Sequence, residues 1–257
     1  MLPKIIHQTW KTRDSLSPAQ AHWRASFQQL NPAFEHRLYD DADNAALVAA
    51  HAPGLKPIYD SFPKEIYRVD FVRALYLFLS GGFYADLDFQ CLQPLDKYLP
   101  AEAVIFGRMG TMEEFEHSIP NAMMASPPFD GFWIFYLRHI CALQSRVQDW
   151  SRARVEYVTG PVALRAAILA YVQDPAAARA AVLEFLDTHA ITFDRAKLCF
   201  HPIQLLPAHA WYPIDWNDQL HLMFRNKVIK QNLLFSLDEA RQLFPHSDAV
   251  TWWMHSW

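Results

Sequence analysis

Gly81-Gly82-Phe83-Tyr84-Ala85-Asp86-Leu87-Asp88-Phe89 places two carboxylates, two residues apart, at the end of an apolar strand. Alternation along a strand sends residues i and i+2 to one face, so Asp86 and Asp88 are expected to converge. Hard oxygen ligands at this spacing suit Mg²⁺ or Mn²⁺, cations that fill the rest of their shell with water and substrate phosphates. An acidic strand end turned to solvent is spelled the same way, so the segment has to be read with its neighbours.

Upstream, Lys64 to Ser80 is predicted to be a helix, and its stretch Phe71-Val72-Arg73-Ala74-Leu75-Tyr76-Leu77-Phe78-Leu79 is apolar almost all the way round. A helix of that kind is buried. Asp70 and Arg73 interrupt it at a spacing of three, hence on one face, and charges in a buried helix are paired or bound to something. Two outcomes fit: an internal Asp70–Arg73 ion pair, or a site shared with the D-x-D carboxylates. Gly81-Gly82 stops the helix and turns the chain straight into the D-x-D strand, which brings both charges towards Asp86 and Asp88.

Asp70-x-x-Arg73 followed by Gly81-Gly82-x-Tyr84-x-Asp86-x-Asp88 resembles the signature of D-x-D sugar transferases of the Och1-like family, glycosyltransferase family 32. The same order and spacing occur in the glucosylating domains of large clostridial toxins. Pro3-Lys4-Ile5-Ile6-His7-Gln8-Thr9-Trp10 is similar to that family's first strand, and Ser256-Trp257 to its terminal Ser-Trp. Ile119-Pro120-Asn121-Ala122-Met123-Met124-Ala125-Ser126 and Thr159-Gly160-Pro161 sit where the family carries comparable segments, so the resemblance runs through nearly all of the 257 residues.

The resemblance implies a GT-A-type fold: an α/β, Rossmann-like, mostly parallel sheet flanked by helices, with a helical insertion in the second half. It also implies a metal-dependent, retaining glycosyltransferase that moves a hexose from a UDP- or GDP-sugar to a glycan, lipid or protein acceptor, with Mn²⁺ or Mg²⁺ as cofactor. On this comparison Asp88 is the direct metal ligand, and Asp86 contacts the donor ribose or reaches the metal through water. Arg73 offers planar donors to sugar hydroxyls or phosphate oxygens, while Asp70 accepts from sugar hydroxyls and holds Arg73. Trp10 stacks on the base with Gln8 beside it on the donor strand. Tyr84 is either a donor contact or a core tyrosine, and Asn121 either steadies the anomeric centre or is a turn residue after Pro120. Ser256 is expected at the metal or phosphate and Trp257 as its lid. The chain departs from the family where many members carry a His-His pair; Thr251-Trp252 stands there, which leaves His255 as the replacement metal ligand.

Composition narrows the class further. Hydrophobic residues are 52% and charged residues 19%, as expected of a packed globular chain. Net charge is −4 and the 23 Lys and Arg form no run, so a nucleic-acid scaffold is not indicated. No uninterrupted apolar stretch reaches 18 residues and Ile5-Ile6 already reads as strand, so a cytoplasmic protein without a transmembrane segment or leader is expected, with membrane contact at most peripheral. Cys91, Cys141 and Cys199 are scattered, with no C-x-x-C, and no H-E-x-x-H supports zinc hydrolysis.

Along the chain, strands are expected at Ile5 to Trp10, His36 to Tyr39, Val104 to Gly107 and Asn121 to Ala125. Helices are expected at Ala19 to Leu30, Asp43 to His51 with an Asp cap, Phe132 to Val147, Pro161 to Val172 and Pro175 to His189. Gln204 to Ile214 reads as irregular chain or edge strand. No linker or repeat divides the chain. A single domain over 1–257 is expected, with a nucleotide-sugar-binding half to about residue 130, then acceptor-side helices and a closing C-terminal segment. Two other functions share the glycines and aspartates: a nucleotidyltransferase, which wants a longer glycine-to-Asp gap and a third carboxylate, and a non-catalytic nucleotide-sugar-binding protein.

Overall fold

A computed structural model describes residues 1–254. The elements follow in the order β1 (Ile5–Thr9), α1 (Pro18–Leu30), β2 (Glu35–Tyr39), α2 (Asp41–His51), α3 (Lys56–Ser61), α4 (Glu65–Ser80), β3 (Gly82–Ala85), β4 (Phe89–Cys91), β5 (Val104–Gly107) and β6 (Met123–Ser126). The second half adds α5 (Gly131–Gln144), α6 (Val155–Val158), α7 (Pro161–Gln173), α8 (Pro175–Thr188), β7 (Ile203–Leu206), α9 (Ala208–Trp211), α10 (Gln219–Gln231), α11 (Leu237–Leu243) and β8 (Ala249–Thr251).

Six strands form one sheet in the order β2-β1-β3-β6-β5-β7, in which β6 alone runs against the others. The α/β class and mostly parallel sheet expected from the sequence are therefore present. The central strands β3, β5 and β6 are mainly apolar on both faces because both faces are covered, whereas the edge strand β2 is polar and half-exposed. Tyr84, Phe106 and Met124 enter the core beneath α4, α5, α7 and α8, whereas their neighbours Phe83, Ile105 and Met123 enter a second core with α1, α9 and the C-terminal segment. The expected second-half helical insertion is α5 to α8. The stretch 155–173, α6 and α7 together, is long and apolar enough to cross a membrane by length and composition. Gly160-Pro161 breaks it, and Ala163, Leu164, Ala167, Ile168 and Tyr171 turn its inner face into the core.

Four local expectations are corrected or refined. The D-x-D does not lie on a strand: β3 ends at Ala85, and Asp86-Leu87-Asp88 form a turn closed by Phe89 N–H donating to the Asp86 carbonyl at 3.2 Å. The cap of α2 is Asp40 rather than Asp43; Asp43 is its partner in a reciprocal capping box. Asn121 precedes β6 instead of belonging to it, and Gln204 to Ile214 divides into the edge strand β7 and the short helix α9. The segment from α10 onwards, which carries no strong sequence pattern, returns to the site: β8 pairs antiparallel with β4, setting Thr251 opposite Phe89.

Gly81 and Gly82 make the joint between α4 and β3. Gly81 adopts φ +63° and Gly82 φ +87°, and a Cβ on Gly82 would stand 2.5 Å from the backbone oxygen of Ile5 in the neighbouring strand. Gly82→Ala combines a left-handed φ with a clash against backbone that cannot move aside. It is expected to lower unfolding free energy by about 2 kcal/mol or more. Urea denaturation with an unchanged m-value checks this, and a loss below about 0.5 kcal/mol would show that the joint relaxes freely.

Candidate active site

Asp70 and Arg73 project from the same side of α4 and are 3% and 2% exposed. The internal ion pair and the shared site, alternatives in the sequence, are both present. Arg73 Nη2 lies 3.2 Å from Asp70 Oδ1 and 3.4 Å from Asp86 Oδ1. Arg73 Nη1 donates to the Asn121 carbonyl at 2.7 Å, and the guanidinium carbon sits 4.6 Å from the centre of the Tyr84 ring. Each Asp70 oxygen has a further donor: Asn121 Nδ2 at 2.9 Å on Oδ1 and the Thr159 hydroxyl at 2.9 Å on Oδ2.

The Tyr84 hydroxyl donates to Asp86 Oδ1 at 2.5 Å. Tyr84 is wholly buried and stands behind Asp86, outside the cavity wall. Asp88 is held by the C-terminal segment: its carbonyl accepts from Trp252 N–H and its Oδ2 from Met254 N–H, both at 2.9 Å. Between those two donors Trp253 takes φ +52°, a left-handed conformation unusual for tryptophan, which reverses the chain over the aspartate. The Trp253 ring packs on Tyr212 and Trp216 at centroid distances of 5.7 and 4.8 Å.

These groups border a cavity of about 300 Å³, near the small end of ordinary ligand sites. Trp10, Asp70, Arg73, Asp86, Asp88 and Asn121 all reach its wall. Gln8 does not; it is buried in β1 with Nε2 lacking a hydrogen-bond partner among the described residues. His255, Ser256 and Trp257 lie outside the described residues. The wall also includes His117, Glu156, Trp216 and Trp253. No short motif marks Trp216 or His117, and the bond from Thr159 to Asp70 spans 89 residues, beyond any spacing rule.

Burial dominates the electrostatics. It lifts Asp70 to about 6, although Arg73, Thr159 and Asn121 all favour the charged form. Burial and the neighbouring charge of Asp86 push Asp88 up to about 7, against the Met254 N–H and the Thr251 hydroxyl. Burial also raises Asp86, opposed by Arg73 and the Tyr84 hydroxyl. Burial alone would lower Arg73, but the carboxylates of Asp86 and Asp70 reverse that and hold it charged.

Asp88 Oδ1 and Arg73 Nε are buried and make no hydrogen bond among the described residues. An anionic acceptor and a cationic donor at one cavity with no partner among the described residues are groups suited to the polar atoms of a ligand. The oxygen set of Asp88 and Asp86 fits a hard divalent cation. A different cluster of potential ligands, Asp130, Cys199 and His201, lies at the far end of β6 and serves the fold. Asp130 caps α5 through Phe132 N–H at 2.9 Å and ties in His201 through its N–H at 2.9 Å and Nδ1 at 2.8 Å.

Comparison with known proteins agrees with this geometry. Residues 17–105, which contain α4 and the Asp86-Leu87-Asp88 turn, match the family described as a glycosyltransferase sugar-binding region containing a DXD motif. The chain is similar to inositol phosphoceramide mannosyltransferase 2 of Schizosaccharomyces pombe, 32% identical over 126 residues, covering 47% of this chain and 35% of that protein. It is also similar to the initiation-specific alpha-1,6-mannosyltransferase of Candida albicans, 30% identical over 109 residues, covering 40% of this chain and 28% of that one. The chain thus spans about a third of the length of the curated relatives it matches. Its fold is shared with the PaToxG glycosyltransferase, at a TM-score of 0.53 and 16% identity, covering 72% of this chain and 75% of the other. Through the segment that builds the α4 and aspartate-turn site, the chain is thus similar to glycosyltransferases whose sugar-binding region contains a DXD motif.

Proposed function

We propose that the protein is a metal-dependent glycosyltransferase that moves a hexose from a nucleoside-diphosphate sugar to an acceptor hydroxyl. The observation that carries this reading is the buried Asp70–Arg73–Asp86–Asn121 network beside the unsatisfied Oδ1 of Asp88, all facing one cavity. Asp88, with Asp86 beside it, would hold Mn²⁺ or Mg²⁺, whose chemistry when bound is to neutralise the charge that grows on a departing diphosphate. Asp86 is fixed by Tyr84 and Arg73 and needs no rearrangement to serve. Arg73, whose Nε–H has no partner among the described residues, would donate to the sugar donor, and Asp70 would accept from a sugar hydroxyl while keeping Arg73 in place. Trp10 offers the base an indole at the edge of the cavity.

The names of the fungal relatives specify mannosyl transfer, which makes a GDP- or UDP-linked hexose, mannose first, the donor to test. Several of those names specify an inositol phosphoceramide, so a lipid-linked acceptor heads the acceptor classes. Retention of configuration is proposed by front-face attack. Asp70 is already engaged by Arg73, Asn121 and Thr159, and Glu156 is paired with Arg154 at 3.4 Å, so neither is singled out as a nucleophile. The same engagement of Asp70 with Arg73 argues against its serving as the third metal-holding carboxylate that a nucleotidyltransferase requires.

Metal-dependent donor hydrolysis and transfer, measured with UDP- and GDP-hexoses, test the reading. Asp88→Asn keeps the volume but removes the anionic ligand, and is expected to lower turnover by roughly 100-fold or more with an unchanged circular dichroism spectrum. Full turnover in Asp88→Asn, or in wild type treated with chelator, would overturn the metal assignment; donor binding without any turnover would mark a non-catalytic binder.

Arg73→Lys keeps the charge but loses the guanidinium fork that spans Asp70, Asp86 and the Asn121 carbonyl. It is expected to cost roughly 10- to 100-fold in turnover and to weaken donor binding in thermal-shift titrations. Wild-type kinetics in both Lys and Ala variants would reduce Arg73 to a packing role.

Tyr84→Phe removes only the hydroxyl on Asp86. Turnover about tenfold lower at a nearly unchanged melting temperature is expected, as for partners that orient a metal-binding carboxylate. Unaltered turnover and metal affinity would show that Asp86 keeps its position through Arg73 alone.

A further inference from the structure

Gln219 to Phe235 carries three cations, Arg225, Lys227 and Lys230, and no carboxylate, in a chain whose net charge is −4. Most of this segment is α10, which divides cleanly between two faces. On the inner side Val228 is buried and Phe224 packs near Phe235 and Trp252, at centroid distances of 6.1 and 6.5 Å. On the outer side Leu220, Met223, Lys227 and Lys230 recur at spacings of three and four, one stripe along the helix. Leu220 is 74% and Met223 61% exposed, and both lysines are exposed; beyond the left-handed cap at Asn232, Leu234 is exposed as well. Folding has already used the inner aromatics for the core and left the outer leucine and methionine in water.

We propose that this outer face of α10 is a contact surface for an anionic phospholipid bilayer. Large apolar side chains beside lysines are the composition of a helix that lies in a membrane interface. Leu220 and Met223 enter the acyl boundary, and Lys227 and Lys230 keep their ammonium groups among the phosphates. Charge complementarity selects this occupant: the face repels basic partners and offers no carboxylate to pair with them. Its place beside the cavity gives the contact a use. The cap residue Asp218 follows the cavity residue Trp216 by two positions, and Arg225 Nη2 donates to the carbonyl of Trp253, also on the cavity wall, at 2.7 Å. A bilayer under α10 sets the cavity next to the lipid headgroups, where a lipid-borne acceptor hydroxyl is found. That last consequence rests on the transferase reading; the bilayer contact does not.

Flotation of the full chain with phosphatidylcholine vesicles, with and without about 30% phosphatidylserine, tests the contact without donor or metal. The expected result is binding to the serine-containing vesicles that is roughly tenfold weaker on neutral ones and weakens as salt rises. Leu220→Ser/Met223→Ser and Lys227→Glu/Lys230→Glu are each expected to reduce vesicle binding by about tenfold, with hydrolysis of a soluble nucleotide sugar and melting temperature unchanged. Failure of the wild type to float, or equal flotation of both double variants, would overturn the proposal. A concentration-dependent dimer in analytical ultracentrifugation, abolished by Leu220→Ser/Met223→Ser, would overturn it in favour of a second copy covering this face. Absent donor hydrolysis alongside normal flotation would defeat the transferase reading and leave the membrane contact standing.

Discussion

Arg73 is a guanidinium almost without access to water, and the site is arranged around that constraint. A cation in an apolar core is tolerated only with close counter-charges and filled hydrogen-bond positions. Asp70 supplies one counter-charge from the preceding turn of the same helix, and Asp86 supplies another from the end of β3. The Asn121 carbonyl takes one N–H and the Tyr84 ring covers the guanidinium. Four segments far apart in sequence are thereby tied at one point: α4, the aspartate turn, the entry to β6 and, through Thr159, the break between α6 and α7. The tie fixes the aspartate turn relative to the helix, which a loop of three residues could not do alone.

The C-terminal segment holds the other half of the site. Pairing of β8 with β4 delivers Trp252 and Met254 to Asp88, so the aspartate is clamped by backbone donors with the Thr251 hydroxyl beside them. Trp252 is fully buried between Trp23 and Phe235, stacked at 6.4 and 5.1 Å, and this packing holds the left-handed turn at Trp253 against its intrinsic strain. Trp252 and Trp253 therefore belong to the core that positions the acidic turn. The same packing explains why α10 is amphipathic with its inner face against Trp252, leaving the outer stripe to other uses.

How far the sequence discloses this depends on whether the relevant physics is local. A helix apolar on every side with charges three apart is local information, and both its burial and the convergence of Asp70 and Arg73 on the aspartates are legible from it. The glycine pair is equally legible, since φ above zero at Gly81 and Gly82 needs residues without Cβ. Strand alternation, however, predicts the convergence of Asp86 and Asp88 by the wrong route. A strand and a turn are hard to separate over three residues: Asp86 N–H still meets the Ala122 carbonyl in the β3–β6 register at 2.8 Å, but Phe89 N–H then closes back on the Asp86 carbonyl at 3.2 Å. Thr159, Trp216 and the strand β8 reach the site through contacts across the whole chain, and no periodicity encodes them. The Asp40–Asp43 capping box is a milder case: two aspartates within the first turn satisfy the same rule, and backbone geometry decides which is the cap.

The charge balance of the cavity gives the arrangement its chemical sense. Asp70, Asp86 and Asp88 contribute three negative charges when ionised and Arg73 one positive charge, a deficit of two on adjacent buried groups. Asp88 shows where the deficit falls, being pushed up to about 7 while Arg73 is held charged. A carboxyl raised in this way takes away stability as pH climbs from its ordinary range towards 7, because the folded chain must then confine an ionised group that water would solvate better. Natural cores discard such a liability unless the group has another partner. Two unit charges of one sign, on carboxylates two residues apart at the wall of a cavity, are the complement of one divalent cation and not of a second arginine. Binding it would exchange the desolvation cost of the aspartates for direct coordination. On the metal-dependent reading proposed above, the strain at Trp253 and the cost of burying Asp88 have one origin: both hold open, on a rigid frame, a place for charge that the described residues do not supply.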